Sequence, residues 1–353
     1  MLKKIALGGL FILSASSDAA LPHPFQNERF AYQGHVFFNV SDSALAGERY
    51  LLNQQLSNVK LESDWAFSEK SQIKGLLIYN TLPTPVTPEL YFEQLYLDLH
   101  EPALARFYFN AGRKWLPFGS YKNDLIYKPL TKAMGQTNED TIIMAFDNRF
   151  YGSVSLFSPH SRVRSSRLDY YYNLNTGWHN DDYDVGFSYL YSFAESQLFQ
   201  YNKGFGGYLF STINSHVPAG AAYVNWHYRS YSTYLTFISA LRPFESNELA
   251  YQNKGAVPKA LSVQGGYEFQ VRAVQAKASV FYDQSFEALA LQLPEKRAGI
   301  GLALFPKPYL TLQLQYFKDI NYKQSVMASG LNRPVRGYRG NRDTFALQAI
   351  VNF

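Results

Sequence analysis

The feature that most constrains this chain is a repeat of short segments, each alternating apolar and polar residues at period two for about ten residues before breaking at a turn. Val59, Leu61, Trp65 and Phe67 share one face of such a segment, and Lys60, Glu62 and Asp64 share the other. Leu168, Tyr170, Tyr172 and Leu174 alternate with Arg167, Asp169, Tyr171 and Asn173. Leu310, Leu312, Leu314 and Tyr316 alternate with Thr311, Gln313 and Gln315. The same period predicts strands over Ser71 to Asn80, Tyr91 to Leu99, Arg106 to Gly112, Asp184 to Phe193, Gly220 to Tyr228, Tyr231 to Ala240, Ala260 to Phe269, Val274 to Asp283 and Lys296 to Phe305. Phe30 to Val40, Thr141 to Phe146 and Phe150 to Phe157 complete the set, with a last strand in which Phe345, Leu347, Ala349, Val351 and Phe353 alternate with polar neighbours. That makes about sixteen strands, an even number in the range of bacterial outer-membrane barrels. The expected fold is all-β, a transmembrane antiparallel β-barrel without a plug domain.

Link lengths support a barrel over a soluble sandwich. Every second link is short: Glu69-Lys70, Glu101 to Ala103, Asp147 to Arg149, Arg229-Ser230, Gln270 to Ala273 and Pro306 to Pro308. The others run longer, as in Ser41 to Ser57, Leu116 to Asp140, Ala194 to Pro218, Leu241 to Lys259 and Asp319 to Arg342. Short periplasmic turns opposite long extracellular loops are the asymmetry of these barrels. Aromatics form 17% of the chain and gather near strand ends, where girdles at the two membrane interfaces need rings that are apolar in body and polar at the tip. The terminal Phe353 resembles the assembly signal of outer-membrane proteins. In lipid, unpaired backbone groups cost several kcal/mol each, so the last strand must close on the first.

Lys3 and Lys4, the apolar run Ile5 to Ala15 and the small-residue site Ser17-Asp18-Ala19 predict a signal peptide over residues 1–19 and one barrel domain over 20–353. About ten residues would separate the cleavage site from the first strand, too few for a folded plug. The sequence contains Cys 0, which excludes disulfides, thiolate metal sites and cysteine nucleophiles. No Gly-x-Ser-x-Gly elbow or His-Glu-x-x-His pair occurs, so no enzyme, cofactor or metal site is expected. The net charge of +5 does not suggest nucleic acid.

Alternation turns Lys60, Glu62, Asp64, Lys74, Arg167, Asp169, His227 and Arg229 inward, because a cation facing lipid costs ~2–4 kcal/mol at the midplane. Two further clusters are candidates for solute binding or pore lining. Arg113 and Lys114 lead into a long link with Lys122, Lys128 and Lys132 beside Asp124, Glu139 and Asp140. Such a link can fold inward and narrow a pore. Arg333, Arg336, Arg339 and Arg342 precede the last strand. Guanidinium forks suit carboxylates and phosphates, so these four fit an anionic, oxygen-rich solute such as a citrate-type iron chelate. Bridging of lipopolysaccharide phosphates, or ion pairing between loops, fits them equally well.

Gly112-Arg113-x-x-x-Pro117-Phe118-Gly119, Lys128-Pro129-Leu130-Thr131 and Gly135-Gln136-Thr137 resemble the signature region of the legiobactin-receptor (LbtU-type) siderophore porins. Gln136 stands where that family would carry an acidic residue. The resemblance implies a sixteen-stranded outer-membrane barrel linked to uptake of ferric siderophores. The expected partners are then a ferric siderophore or other anionic small solute, outer-membrane lipid and lipopolysaccharide, and further copies of the chain. A general or anion-preferring diffusion porin is the alternative.

Overall fold

The computed structural model describes residues 30–45, 51–68, 70–80, 88–101, 107–159, 162–163, 170–199, 212–213, 216–330, 333–338 and 340–353. The expected leader, Arg167 and Asp169 lie outside them. The chain begins with β1 (Phe30–Leu45), β2 (Leu51–Ser68), β3 (Ser71–Asn80), β4 (Leu90–Glu101) and β5 (Phe107–Trp115). A short helix, α1 (Leu130–Gly135), precedes β6 (Asn138–Asp147), β7 (Phe150–Phe157), β8 (Arg162–Val163), β9 (Tyr171–His179), β10 (Tyr183–Leu190) and β11 (Thr212–Ile213). Next come β12 (Ala219–Tyr228), β13 (Tyr231–Ala240), β14 (Leu249–Tyr251), β15 (Lys254–Gly255), β16 (Lys259–Val271) and β17 (Val274–Phe286). The chain ends with β18 (Lys296–Lys307), β19 (Leu310–Ile320), β20 (Met327–Gly330), β21 (Arg333–Arg336) and β22 (Asn341–Asn352).

Sixteen of these strands close one barrel, in the order β1 to β7, β9, β10, β12, β13, β16 to β19 and β22. They correspond one for one to the segments marked by alternation. The ladder between β1 and β22 runs from His35–Asn352 to Leu45–Arg342 and seals the sheet. Phe353 extends that seam, exchanging backbone hydrogen bonds of 2.9 and 3.0 Å with Gly34. Its ring lies over Gly34, where any larger side chain would collide.

The first long link differs from expectation. Ser41 to Leu45 still pair with β22, and Ser41 to Ser43 pair with Asn53 to Leu51 of β2. Ladder bonds need no apolar side chain, so the strands continue through a stretch whose composition resembles a loop. Along the rest of the wall, apolar side chains face outward in a belt. Trp65, Phe67, Phe150, Tyr228 and Tyr231 are exposed at the short-turn end, and Tyr79, Tyr282, Tyr316 and Phe345 toward the other.

The long-link end is the larger departure. Phe193, Phe199, Phe244, Leu249, Leu291 and Tyr322, all from links, pack into one buried cluster with Phe118, Leu130 and Met134. Above it, β14, β15, β20 and β21 form a small sheet from two long links. Part of the extracellular mouth is therefore a packed apolar cap rather than hydrated loop.

Candidate pore constriction

The residues joining β5 to β6 fold into the barrel. Within β5, Gly112 takes φ at 130°, where a Cβ would lie 2.5 Å from the Leu95 carbonyl oxygen, and the segment leaves the wall after Trp115, the last residue paired with β6. Beyond it, Phe118 packs edge-on against Phe193, with ring centroids 6.4 Å apart. Gly135 lets α1 approach the wall so closely that a side chain there would overlap Tyr121 and Ile238.

Polar contacts then fasten the segment across the lumen. The Gly119 amide donates to Ser188 Oγ on β10 at 3.0 Å, and Asn225 on β12 donates to Ser120 Oγ at 2.9 Å. Thr236 on β13 donates to the Ser120 carbonyl at 2.5 Å. Lys122 lies 3.5 Å from Asp184. Asp124 lies 2.8 Å from Lys277 on β17 and accepts a bond from Gln264 on β16 at 3.1 Å. On the same lysine, Glu268 sits 3.3 Å away.

Past Asp124, the Tyr127 amide donates to Gln315 on β19 at 3.1 Å, while its ring stacks on Phe281 at 4.0 Å. Burial first, and the Asp283 carboxylate second, hold the Tyr127 hydroxyl well above the ordinary phenol range, so it stays protonated. Arg297 lies over the Tyr127 ring and forks onto Asp319 at 2.6 and 2.9 Å, fixing this layer of the wall. Thr131 closes the series by donating to Ser262 Oγ at 3.0 Å. All these anchors belong to β10, β12, β13 and β16 to β19.

The sequence-predicted cations separate accordingly. Lys114 points into the lumen, with Nζ donating to Asn110 at 2.5 Å and lying 4.2 Å from the Tyr96 ring centroid. Arg113 is exposed and stands opposite Asp140 and Leu95 in the ladders, so Lys114 is the member of the pair whose partners lie in the lumen. Lys122 serves the anchoring side. Lys132 lies on α1 and Lys128 just before its Pro129 cap, both within electrostatic reach of Lys60 on β2 and Glu93 on β4. Enclosure inside the barrel lowers both ammonium groups below the ordinary lysine range; Lys60 pushes the same way and Glu93 opposes.

Arg333 and Arg336 are not drawn into the lumen. They lie exposed on β21, at the edge of the small extracellular sheet, while Arg342 is exposed at the start of β22 and Arg339 falls outside the described residues. Of the predicted inward charges, Lys74 pairs with Asp98 at 3.4 Å. Arg229 is a correction: it occupies the tight turn after β12 with φ at 53° and stacks over Tyr228, so it caps the turn instead of lining the pore.

Glu93 escaped the sequence pattern for a physical reason. Simple alternation groups it with Leu95 on the lipid face, but the β3–β4 register passes from Leu76–Gln94 to Leu77–Phe92, leaving Glu93 as the extra residue of a bulge that resets its direction. Lys277 was hidden as one polar position among many in β17.

A closed sixteen-stranded barrel with an apolar outer belt and an inward segment is the porin-type fold of a bacterial outer-membrane barrel. The chain is similar to a UPF0422 protein of Coxiella burnetii, 24% identical over 237 residues, covering 64% of this chain and 50% of the relative. It is also similar to UPF0422 protein lpp3030 of Legionella pneumophila strain Paris, 29% identical over 272 residues, covering 70% and 50%. The chain thus spans about half the length of the curated relatives it matches. No family model matches.

Among solved structures, Salmonella typhi OmpF in complex with daunomycin aligns with TM-score 0.60 at 9% identity over 92% of this chain and 97% of the other. The DcaP channel of Acinetobacter baumannii gives 0.59 at 12% identity, covering 93% and 99%. A trimer form of Vibrio cholerae OmpT gives 0.52 at 10% identity, covering 92% and 100%. At these identities the shared property is the fold.

Proposed function

We propose that this chain is a diffusion channel whose aperture is set by the segment between β5 and β6. The observation carrying this reading is the course of that segment: it enters the lumen and is anchored to the far wall from Ser120 through Thr131. A link anchored across the lumen narrows the route for hydrophilic solutes without sealing the barrel. On this reading solutes pass chemically unaltered.

Passage of ferric siderophores, implied by the legiobactin-receptor resemblance, is the narrower form. It is supported by the position of the resembling residues, which build the constriction itself, and by the lysines on and beside α1. The exposed arginines of β21 fit lipopolysaccharide phosphates at the outer surface. Association into trimers belongs to the same proposal, and the trimer form of Vibrio cholerae OmpT gives it precedent.

The test is reconstitution of the folded barrel in planar bilayers and liposomes. Discrete conductance steps and a size-limited uptake of neutral sugars are expected. A folded, heat-modifiable barrel that passes neither ions nor sugars would refute the channel. Growth of a deletion strain on purified ferric siderophores under iron limitation separates the narrower form from general permeability.

A further inference from the structure

Beneath the inward segment, one row of the lumen wall sets two large side chains against two absent ones. Tyr151 of β7 pairs with Gly177 of β9, Gly177 with Gly186 of β10, and Gly186 with Tyr223 of β12. The phenols fill the bare patch between them. A Cβ at Gly177 would collide with the Tyr151 hydroxyl, and one at Gly186 with the tips of both tyrosines. The two hydroxyl oxygens meet 2.6 Å apart, and Tyr151 donates to Asp184 Oδ1 at 2.7 Å. A side chain that reaches across neighbouring strands to meet another lies along the wall, so it turns a ring face toward the lumen.

Both edges of this floor are polar. The row on the short-turn side holds His179, Asp184 and Asn225, and the row on the long-link side holds Ser153, Asn175 and Ser188. Gly119 bonds to the second row at Ser188 and Ser120 to the first at Asn225, so the inward segment crosses over Tyr223. Tyr223 is accordingly buried, whereas Tyr151 stays half-buried. Beside the segment, over Tyr151, lies a cavity of about 420 Å³ that is also lined by Tyr108, Lys122, Ser153, Asn175 and His179. That volume falls among small-molecule sites, which span roughly 300–1,000 Å³.

The charges around the cavity are matched. Lys122 lies 3.5 Å from Asp184, and His179 Nε2 lies 3.1 Å from Asp147. Asp184 also accepts from the Asn225 amide at 2.9 Å. The uncommitted groups are neutral. Ser153 Oγ is buried and has no hydrogen-bond partner among the described residues. Asn175 accepts at its oxygen from Ser188 at 2.8 Å and from Tyr223 at 3.3 Å, so its amide N–H groups are the part available to a solute. A sugar ring suits this arrangement: its C–H face packs on an aromatic face, and its hydroxyls, each donor and acceptor, bond to a polar rim. We propose that the cavity over Tyr151 is a binding site for neutral sugars. A sugar seated there lies beside the aperture, and this role in transport rests on the channel reading, while binding itself is separable from conduction.

The probes are maltose and, as a cationic comparison, choline, added to the whole chain folded in an amine-oxide detergent that carries no sugar. Saturation-transfer NMR should show maltose bound to the wild-type barrel and choline unbound. Tyr151→Leu removes the ring face and should weaken maltose binding about tenfold. Tyr151→Phe keeps the face and should remain within about threefold of wild type, which a merely structural role for the Tyr151 hydroxyl network would not allow. Asp147→Asn should change maltose binding by about twofold at most, because a neutral ligand does not need that charge. In bilayers, millimolar maltose should reduce the ion current through wild type and Tyr151→Phe but not through Tyr151→Leu. Maltose binding without any current supports the site and removes the channel reading; steady current without maltose binding overturns the site and leaves the channel. Equal maltose binding by wild type and Tyr151→Leu would also overturn the proposal, as would choline binding that Asp147→Asn abolishes.

Discussion

Two basic regions of this chain, 113–132 and 333–342, carry comparable charge and come to different ends. The first is interleaved with Phe118 and Leu130 and followed by Met134, which bury against the links above the barrel, and Gly135 just beyond it allows close approach. Its lysines are carried into the lumen by the apolar residues between them. The second is an edge strand, where Pro334 and both flanking arginines are exposed. Nothing there brings the guanidinium groups together. Charge alone did not distinguish the two segments; the neighbouring apolar residues decided which charges share a space.

The largest effect should follow from removing the distinction altogether. Replacing residues 118–136 by a short Gly-Ser link should raise single-channel conductance severalfold and abolish anion preference, measured in bilayers, while the barrel still folds on its sixteen-strand ladder. An unchanged conductance would mean that the segment does not define the aperture.

Loosening one anchor should have a smaller effect. Asp124→Ala leaves Lys277 with Glu268 as its remaining carboxylate partner, and breaking a buried pair costs about 3–5 kcal/mol where water is excluded. Water in the lumen reduces that figure, so the expected outcome is current flicker from a segment that detaches intermittently, with folded yield retained. Tyr127→Ala, which removes the stack on Phe281, should behave similarly.

Smaller again is the response to pH. Lys128 and Lys132 carry their charge below their lowered pKa values and lose it as pH rises through them. Among the described residues, Lys60 lowers both further and Glu93, itself acted on by Arg113, raises them. Anion preference should therefore be present at neutral pH and decline in the alkaline range before ordinary lysines titrate at about 10.5. Reversal potentials across a pH series check this, and a preference that grows with pH would contradict it.

The smallest effect is expected at the exposed arginines. Arg333→Gln, Arg336→Gln, Arg339→Gln and Arg342→Gln together should leave bilayer selectivity nearly unchanged, because exposed charges are screened within about 10 Å at 0.1 M salt. A large loss of anion preference would show that the edge strand reaches the pore after all.

The strands were legible because lipid on one side and lumen on the other force period two on every spanning segment, including weakly marked ones such as Thr141 to Phe146. The inward course of the β5–β6 link was partly legible in Gly112, Pro117-Phe118-Gly119 and Gly135. Its partners were not, since Lys277, Gln264 and Ser262 look like ordinary lumen-facing residues of alternating strands. The apolar cap was invisible for another reason: Phe199 and Phe244 lie in links without periodicity, Phe193 was read as the end of the strand Asp184 to Phe193 although β10 stops at Leu190, and their burial depends on links distant in sequence meeting one another. Glu93 was misplaced by the same regularity that revealed the barrel, because one bulge reverses the parity.

The central claim, that the segment bearing Lys128 and Lys132 lies inside the barrel against the far wall, can be tested by a cross-link. The chain has no cysteine, so an introduced pair reports without background. Thr131 Oγ1 and Ser262 Oγ are 3.0 Å apart although 131 residues separate them in sequence, close enough for Thr131→Cys and Ser262→Cys to form a disulfide with small adjustment. Mild oxidation of the folded double variant in outer membranes should yield a species of altered mobility on denaturing gels, reversed by reductant. A folded barrel in which both thiols stay free under the same oxidation would contradict the account.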